Sequence, residues 1–269
     1  MRGEGLDPGL EAEVGITPLE PTPPGPGLAV GRVRVPVKSA GQQAVLMLHR
    51  TRVLLIRQQT MLANAFRAHL AEFGIVVVQG IRHVRELIER VFAEDIFDLP
   101  ALVRTALRPL VAQLMELRLQ IKSLEKELLA RHRTSQESRR LETIPGVGFI
   151  TATAIAATVT DPSHFRSSRE FSAWLGLTPR QNSSGGKERL GGVSKMGNRY
   201  LRSLMVVGAT AMIRYAREKG AVSARWINAL LEKKPARLVS VAVANKTARI
   251  AWALLVRKED YRVPVPVAA

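Results

Sequence analysis

Two neighbouring serines stand in a stretch whose composition suits chemistry on a phosphate group. Ser183 and Ser184 are followed by two glycines, and Ser194 follows a second glycine pair. One acid, Glu188, and six cations surround these serines: Arg180, Lys187, Arg189, Lys195, Arg199 and Arg202. A flexible, basic loop can hold a phosphate while a hydroxyl group attacks it. The same composition is also typical of a solvated surface loop that ends in a helix cap.

The serines differ in the segments that come after them. Ser194 directly precedes a segment whose apolar residues recur at helical spacing, which predicts a helix over residues 195–217 with Ser194 as its N-cap. Ser184 has no such task, and the glycines after it allow the backbone to approach a phosphate closely. Ser184 is therefore the first candidate for a nucleophile, and Ser194 is the second.

Long helices are predicted to precede this stretch. Residues 40–73 carry apolar side chains at helical spacing, and Gly74 ends the pattern. Residues 101–133 show alternating steps of four and three, which is a heptad seam: Val103, Leu107, Leu110, Leu114, Leu117, Ile121, Leu124 and Leu128. A two-chain coiled coil and an antiparallel hairpin within one chain fit this seam equally well. The predicted fold is mainly α.

A second candidate phosphate contact lies in the segment Ile144-Pro145-Gly146-Val147-Gly148. The spacing of Gly146 and Gly148, with Ala152 four residues on, resembles a helix-hairpin-helix. In such a motif the second helix presents free N–H groups to a phosphate, which positions a backbone without reading its sequence. A plain corner between two helices is the other interpretation.

Charge and composition restrict the class of partner. The 269-residue chain has a net charge of +17 and an isoelectric point near 11.2. From Ile144 onward it holds 20 Lys and Arg against 7 Asp and Glu, so about +13 lies there. This field favours nucleic acid over other partners. The chain has no cysteine, and His83 lacks a partner at ligand spacing, so we predict no metal site. No apolar run reaches the roughly 20 residues that span a bilayer, so we predict no membrane span. The absence of cysteine is compatible with a reducing compartment, and we expect a cytoplasmic, nucleoid-associated protein.

Several motifs in one order resemble a known family. The stretch GLTPRQNSSGGKERLGGVSKMGNRYLR, the earlier IPGVGFITATAIAATV and FSAWLGL, and the later ANKTARIAWALL are similar to the one-ten family of insertion-sequence transposases. The resemblance covers roughly residues 33–261. It implies DNA as a partner, a guide (bridge) RNA as in the better-known members, and a loop serine that joins DNA through a phosphoserine. That role falls on Ser184.

The resemblance also implies an acidic domain with a RuvC-like, RNase H fold that binds Mg²⁺ and precedes the matching segment. Only five acids occupy residues 1–32, in a Pro/Gly-rich context: Glu4, Asp7, Glu11, Glu13 and Glu20. The chain is therefore expected to be a truncated family member without this domain, to bind no cofactor itself, and to be inactive without a partner that supplies the acids.

The predicted organisation has four parts. Residues 1–32 are a disordered segment, 33–135 a long-helix or coiled-coil region, 136–261 the C-terminal transposase domain, and 262–269 a loose tail. The expected function is transposition through serine attack on a DNA phosphodiester, by a homo-oligomer paired through its long helices. A non-catalytic nucleic-acid-binding remnant and a structural coiled-coil protein are the alternatives.

Overall fold

The computed structural model describes residues 37–92, 97–183, 186, 187, 189–219 and 222–262. The predicted disordered segment 1–32 and residues 263–269 of the tail lie outside the described residues. In the described part there are nine α-helices, α1 Ala40–Ala71, α2 Ile81–Phe92, α3 Ala101–Thr134, α4 Gln136–Glu142, α5 Phe149–Thr158, α6 Ser168–Trp174, α7 Arg199–Lys219, α8 Val222–Lys233 and α9 Ala236–Arg257. A 3-10 turn, Pro162–His164, precedes α6, and two strands, β1 Pro179–Gln181 and β2 Leu190–Val193, precede α7. The prediction of a mainly α fold is confirmed.

The first long helix is defined at both ends by local signals. Ser39 and Gln42 form a capping box, because the Ser39 hydroxyl accepts from the Gln42 N–H at 3.2 Å and the Gln42 side chain accepts from the Ser39 N–H at 3.0 Å. At the other end Gly74 has a φ of +75°, a conformation that glycine adopts without strain. The helix predicted over residues 40–73 is therefore confirmed.

The heptad seam of α3 packs within the chain. Five of its apolar positions are buried: Leu107, Leu114, Leu117, Ile121 and Leu128. The pairing with α1 is antiparallel, because Arg52 near the start of α1 contacts Glu125 near the end of α3 at 2.6 Å. Phe66, near the end of α1, packs in one cluster with Leu107. Of the two packings the sequence allowed, the structure contains the hairpin, and Pro109 lies inside α3 rather than in its first turn.

A second hydrophobic cluster joins α4 through α9. Phe171 and Leu175 of the α6 region and Leu201 of α7 are fully buried in it, as are Ala244 and Ala248 of α9. Each large apolar side chain among them contributes about 1.5–3 kcal/mol from removal of apolar surface from water. Phe171 and Leu175, which precede the serines in the chain, are therefore core residues.

Helix α9 satisfies the length and composition of a membrane span. Half of its most apolar stretch, however, is buried inside the fold. Burial on this scale is what the central helix of a protein core requires. Here α9 serves as the element against which α6 and α7 pack.

Candidate nucleic-acid interface

The serine-bearing stretch forms a β-hairpin, which the sequence did not predict. Strands β1 and β2 pair antiparallel, with Pro179 opposite Val193 and Gln181 opposite Leu190. The N–H of Asn182 donates to the carbonyl oxygen of Arg189 at 2.8 Å and closes the ladder toward the tip. Asn182 and Arg189 thereby mark the end of a two-stranded arm.

Ser183 is committed to the structure of this arm. Its hydroxyl oxygen accepts from the Arg189 backbone N–H at 3.0 Å and from the Gln181 side-chain amide at 3.2 Å. These bonds connect the two sides of the loop. Ser184 lies outside the described residues, so its role as nucleophile stays a prediction.

The expectation that Ser194 caps the following helix was wrong. Helix α7 begins at Arg199, and its cap is Asn198, whose side-chain oxygen accepts from the Leu201 N–H at 3.0 Å. Ser194 instead extends the hairpin, since its N–H donates to the carbonyl oxygen of Thr178 at 2.9 Å. The cause is the backbone between them: Lys195 has a φ of +55° and Gly197 a φ of +99°, which a helix cannot contain.

The hairpin is fixed to the core by an interlock of two glycines. A Cβ atom on Gly176 would overlap the carbonyl oxygen of Met196, and one on Gly197 would overlap the carbonyl oxygen of Trp174. Arg202 secures the same junction, because its guanidinium donates to the carbonyl oxygen of Leu175 at 3.1 Å. The structure thus places Arg202, predicted to bind phosphate, half-buried beneath the arm, where it positions the hairpin.

The other five predicted cations lie on the hairpin and on the segment that leads into α7, and each is at least partly exposed: Arg180, Lys187, Arg189, Lys195 and Arg199. Among them Arg180 is oriented across the arm, with its guanidinium 3.5 Å from the carbonyl oxygen of Ser194. Solvent-accessible cations that flank one loop are the arrangement that phosphate binding requires.

The two glycines of the predicted hairpin motif have different surroundings. Gly146, with a φ of +79°, lies against α7, where a Cβ atom on Gly208 would overlap its carbonyl oxygen. Gly148 is the N-cap residue of α5, and a Cβ atom there would have no neighbour within 4 Å. Close packing accounts for glycine at 146. Open space at 148 is compatible with the approach of a phosphate, which stays a prediction.

The part of the chain that contains the hairpin and the α4–α5 turn is similar in sequence to known proteins. Residues 138–223, from α4 to the start of α8, match the transposase family IS116/IS110/IS902. A protein of Pseudomonas aeruginosa described as a probable family 20 transposase is 45% identical over 229 residues, which cover 85% of this chain and 68% of that protein. The chain belongs to the IS116/IS110/IS902 family of transposases.

Two further relatives agree with this assignment. The transposase for insertion sequence element IS1111A from Coxiella burnetii is 38% identical over 225 residues, covering 84% of this chain and 62% of that protein. The transposase for IS1328 from Yersinia enterocolitica is 38% identical over 217 residues, covering 80% and 64%. The chain thus spans about two thirds of the length of the relatives it matches. The family resemblance indicated by the motifs is confirmed.

One cluster in this transposase chain has the composition of a catalytic triad, but its serine is not accessible to a substrate. His132 lies 2.8 Å from the Ser138 hydroxyl through Nδ1 and 2.7 Å from a Glu142 carboxylate oxygen through Nε2. Ser138 is fully buried, so no substrate can reach its hydroxyl. The cluster joins the end of α3 to α4 and is structural.

Sequence reasoning missed a buried histidine that joins the long helix to the transposase domain. His49 of α1 lies 3.0 Å from the Tyr200 hydroxyl on α7 and 3.1 Å from the Thr153 hydroxyl on α5. Burial, reinforced by the charge of Arg52, lowers the pKa of His49 to about 4, and burial raises the pKa of Tyr200. These partners lie 104 and 151 residues away in the chain, so no local spacing could have indicated them.

The described residues do not fit the Mg²⁺ that the resemblance assigns to an acidic domain. Within the part of the chain that the structure describes, no three His, Asp or Glu side chains form a group that could hold a metal ion. Magnesium is held by carboxylate oxygens and water in octahedral geometry. No chemical step is therefore assigned to a metal held by these residues.

Proposed function

We propose that this chain carries the serine-dependent strand-transfer site of a transposase, with Ser184 as the nucleophile. The observation that supports this most is the hairpin, whose described residues carry solvent-accessible cations both before and after Ser184 in the chain, among them Arg180 and Arg189. The substrate is a DNA phosphodiester. The protein would act in the cytoplasm, on nucleoid DNA, as a family transposase.

The reaction is a transesterification. The Ser184 oxygen bonds to phosphorus, the bond from phosphorus to one deoxyribose oxygen breaks, and the serine proton ends on that departing oxygen. Arg180, Lys187 and Arg189 offset the charge that develops on the phosphate oxygens, which is the main electrostatic contribution in phosphoryl transfer. Ser183 keeps the loop closed while the adjacent residue reacts.

DNA binding is proposed to occur chiefly through phosphates. The exposed hairpin cations and the α5 N-terminus at Gly148 are its contacts. Affinity for a duplex should then fall steeply as salt rises, with a log–log slope of about −0.9 per phosphate neutralised. Salt-independent binding, or no binding at low salt by the folded chain, would contradict it.

A homo-oligomer through the long helices is also proposed. The α1–α3 hairpin buries one seam but leaves apolar side chains exposed on its outside, for example Met61 at 63% and Leu119 at 64%. A second copy would cover such side chains. Leu119→Asp should lower the mass measured by light scattering to that of one chain, whereas Gln120→Asp, next to it, should leave the mass unchanged.

The serine assignment is tested by trapping a covalent adduct. The chain is mixed with a full-length relative and DNA that carries the ends of that relative's insertion sequence, so that any acidic domain is supplied in trans. We expect an adduct on this chain, found by mass spectrometry, that disappears with Ser184→Ala, survives Ser194→Ala, and is formed in lower yield but not abolished with Ser183→Ala. An adduct lost only in Ser194→Ala would show that the wrong serine was chosen.

The same mixture separates the enzyme from a binding protein. Absence of any adduct, with salt-dependent duplex binding intact, would favour the non-catalytic DNA-binding alternative. Recombination by the isolated chain with added Mg²⁺ would contradict the expectation that the acidic residues must be supplied by another subunit. A guide RNA is tested by adding the relative's RNA, which should raise adduct yield.

A further inference from the structure

A groove between α6, α8 and α9 contains an exposed tryptophan beside two cations. Its volume is about 540 Å³, and apolar side chains such as Ala242 and Ile250 contribute to its lining. Trp226, Lys246 and Arg249 also line it. The charged residues that line it are both cationic. Lys246 lies within the family motif ANKTARIAWALL.

Trp226 is presented to solvent rather than buried. It is 38% exposed, and the Lys246 ammonium group lies 4.2 Å from the ring centroid. That cation–π contact holds the ring against α9 and covers one of its faces, so a flat ligand would stack on the opposite face. A rigid aromatic surface with an adjacent cation is suited to a flat, electron-rich ring that is joined to an anion.

Arg249 is held at the other side of the groove. Its Nε donates to the Ser168 hydroxyl at 3.4 Å, which orients the guanidinium on the rim. The guanidinium has further N–H groups available to an anion, and its planar fork matches a phosphate. One aromatic ring and two cations within one groove are therefore suited to bind one base and its flanking phosphates.

The groove is connected to the segment that leads into the serine hairpin. Asn245, which lines the groove, donates from its side-chain amide to the carbonyl oxygen of Leu177 at 3.2 Å. Leu177 precedes β1 by two residues. A strand held in the groove would thus lie beside the base of the arm that carries Ser184.

We propose that this groove binds an unpaired nucleotide of single-stranded DNA, with its base against Trp226 and its phosphates on Lys246 and Arg249. The bases of a duplex are stacked on each other and cannot reach an aromatic ring, so the strand must be unpaired there. The inference rests on the proposed function and extends it. Strand exchange exposes unpaired DNA, and this groove would hold it near the base of the hairpin.

The probes are a 12-nucleotide oligo(dT), an abasic strand of the same length and charge, a 12-nucleotide oligo(rU) and a 12-base-pair duplex. Oligo(dT) should quench tryptophan fluorescence and bind more tightly than the abasic strand. Trp226→Leu should weaken oligo(dT) binding about 5- to 100-fold, the range of one base–aromatic stack, and remove the advantage over the abasic strand. Trp226→Phe should retain part of both.

The charge contribution is tested with a matched pair. Lys246→Ala should weaken oligo(dT) binding and reduce its salt slope by about 0.7, the value for one phosphate on a single strand. Lys233→Ala removes one exposed charge from α8 outside the groove and should change oligo(dT) binding less. Equal effects of the two variants would overturn the assignment of Lys246.

The outcomes separate the two proposals. If Trp226→Leu leaves oligo(dT) affinity unchanged while the duplex still binds, the groove assignment is overturned and the proposed function stands. If oligo(rU) binds more than tenfold tighter than oligo(dT), the assignment to DNA is overturned. If neither the strand nor the duplex binds, both proposals fail together.

Discussion

The backbone of Gly146 rests directly against Gly208 of α7, with no room for a side chain between them. A Cβ atom on Gly208 would overlap the Gly146 carbonyl oxygen, and one on Gly146 would lie 2.7 Å from Met212. The turn between α4 and α5 is thereby pressed onto α7, the helix that comes after the serine hairpin. The glycine motif that the sequence suggested for DNA contact thus also packs the α4–α5 turn against α7.

Gly208→Ala should destabilise the protein. In an exposed helix the same change would stabilise by about 1 kcal/mol, because alanine is the better helix former. Here the added methyl group meets backbone that cannot move aside, so we expect the free energy of unfolding to fall by about 1–3 kcal/mol. Urea denaturation measures it. An unchanged or raised midpoint would show that the turn does not pack as described.

Gly148→Ala should affect binding rather than folding. The position is open, and its φ of −92° is allowed for alanine. We expect stability within about 1 kcal/mol of the wild type, the cost of an altered N-cap. Duplex affinity should fall about tenfold, the equivalent of one lost charge-assisted hydrogen bond at about 1.5 kcal/mol. Unchanged affinity would exclude Gly148 from the interface.

Asn198→Ala should shorten or loosen the start of α7. The side chain satisfies the Leu201 N–H, so its removal should cost about 1 kcal/mol in urea denaturation. Ser194→Ala is the matched control, because Ser194 lies before the helix and contributes its backbone to the hairpin. A larger effect at Ser194 than at Asn198 would indicate that Ser194 is the N-cap, as the sequence predicted.

The buried His49 should make stability depend on pH. Its pKa of about 4 in the folded protein lies below the 6.5 of an unfolded chain, so between these values the unfolded state binds more protons. This contribution is fully present above pH 6.5 and is lost as the pH falls toward 4. Relative to His49→Gln, the wild type should lose about 3 kcal/mol over this window.

The matched control for that measurement is His69→Gln, on the exposed side of the same helix. This variant should keep the wild-type dependence on pH, because it leaves the buried contacts of His49 in place. The carboxyl groups are the same in the wild type and in both variants, so their effect cancels in the comparison. If the His49→Gln curve is parallel to that of the wild type, the histidine is not buried between α1, α5 and α7.

Leu117→Asp should disrupt the contact of α3 with α1. Leu117 is 8% exposed, and a carboxylate there would lose its hydration without gaining a partner, at a cost of about 3 kcal/mol or more. Leu102→Asp, at 79% exposure on the same helix, is the control and should leave the melting temperature nearly unchanged. Equal melting of the two variants would show that the seam is not buried.

Much of the fold could be predicted from the chain because its signals are local. The helices of residues 40–71 and 101–134 are indicated by apolar spacing, and the bounds of the first are set by Ser39 and Gly74. Family membership could also be predicted from the sequence, because several family motifs occur in the same order. Neither kind of signal requires knowledge of which residues meet in space.

Only the tertiary structure decided how the candidate site is built. The hairpin around the serines was not predicted, because its strands are short and mostly exposed and so show no alternation of polar and apolar residues. Helix α7 begins late because Gly197 must pass against Trp174, a contact between distant segments. His49 and Tyr200 meet across 151 positions. Sequence determines periodicity and charge, whereas long-range contacts depend on how the folded helices stack.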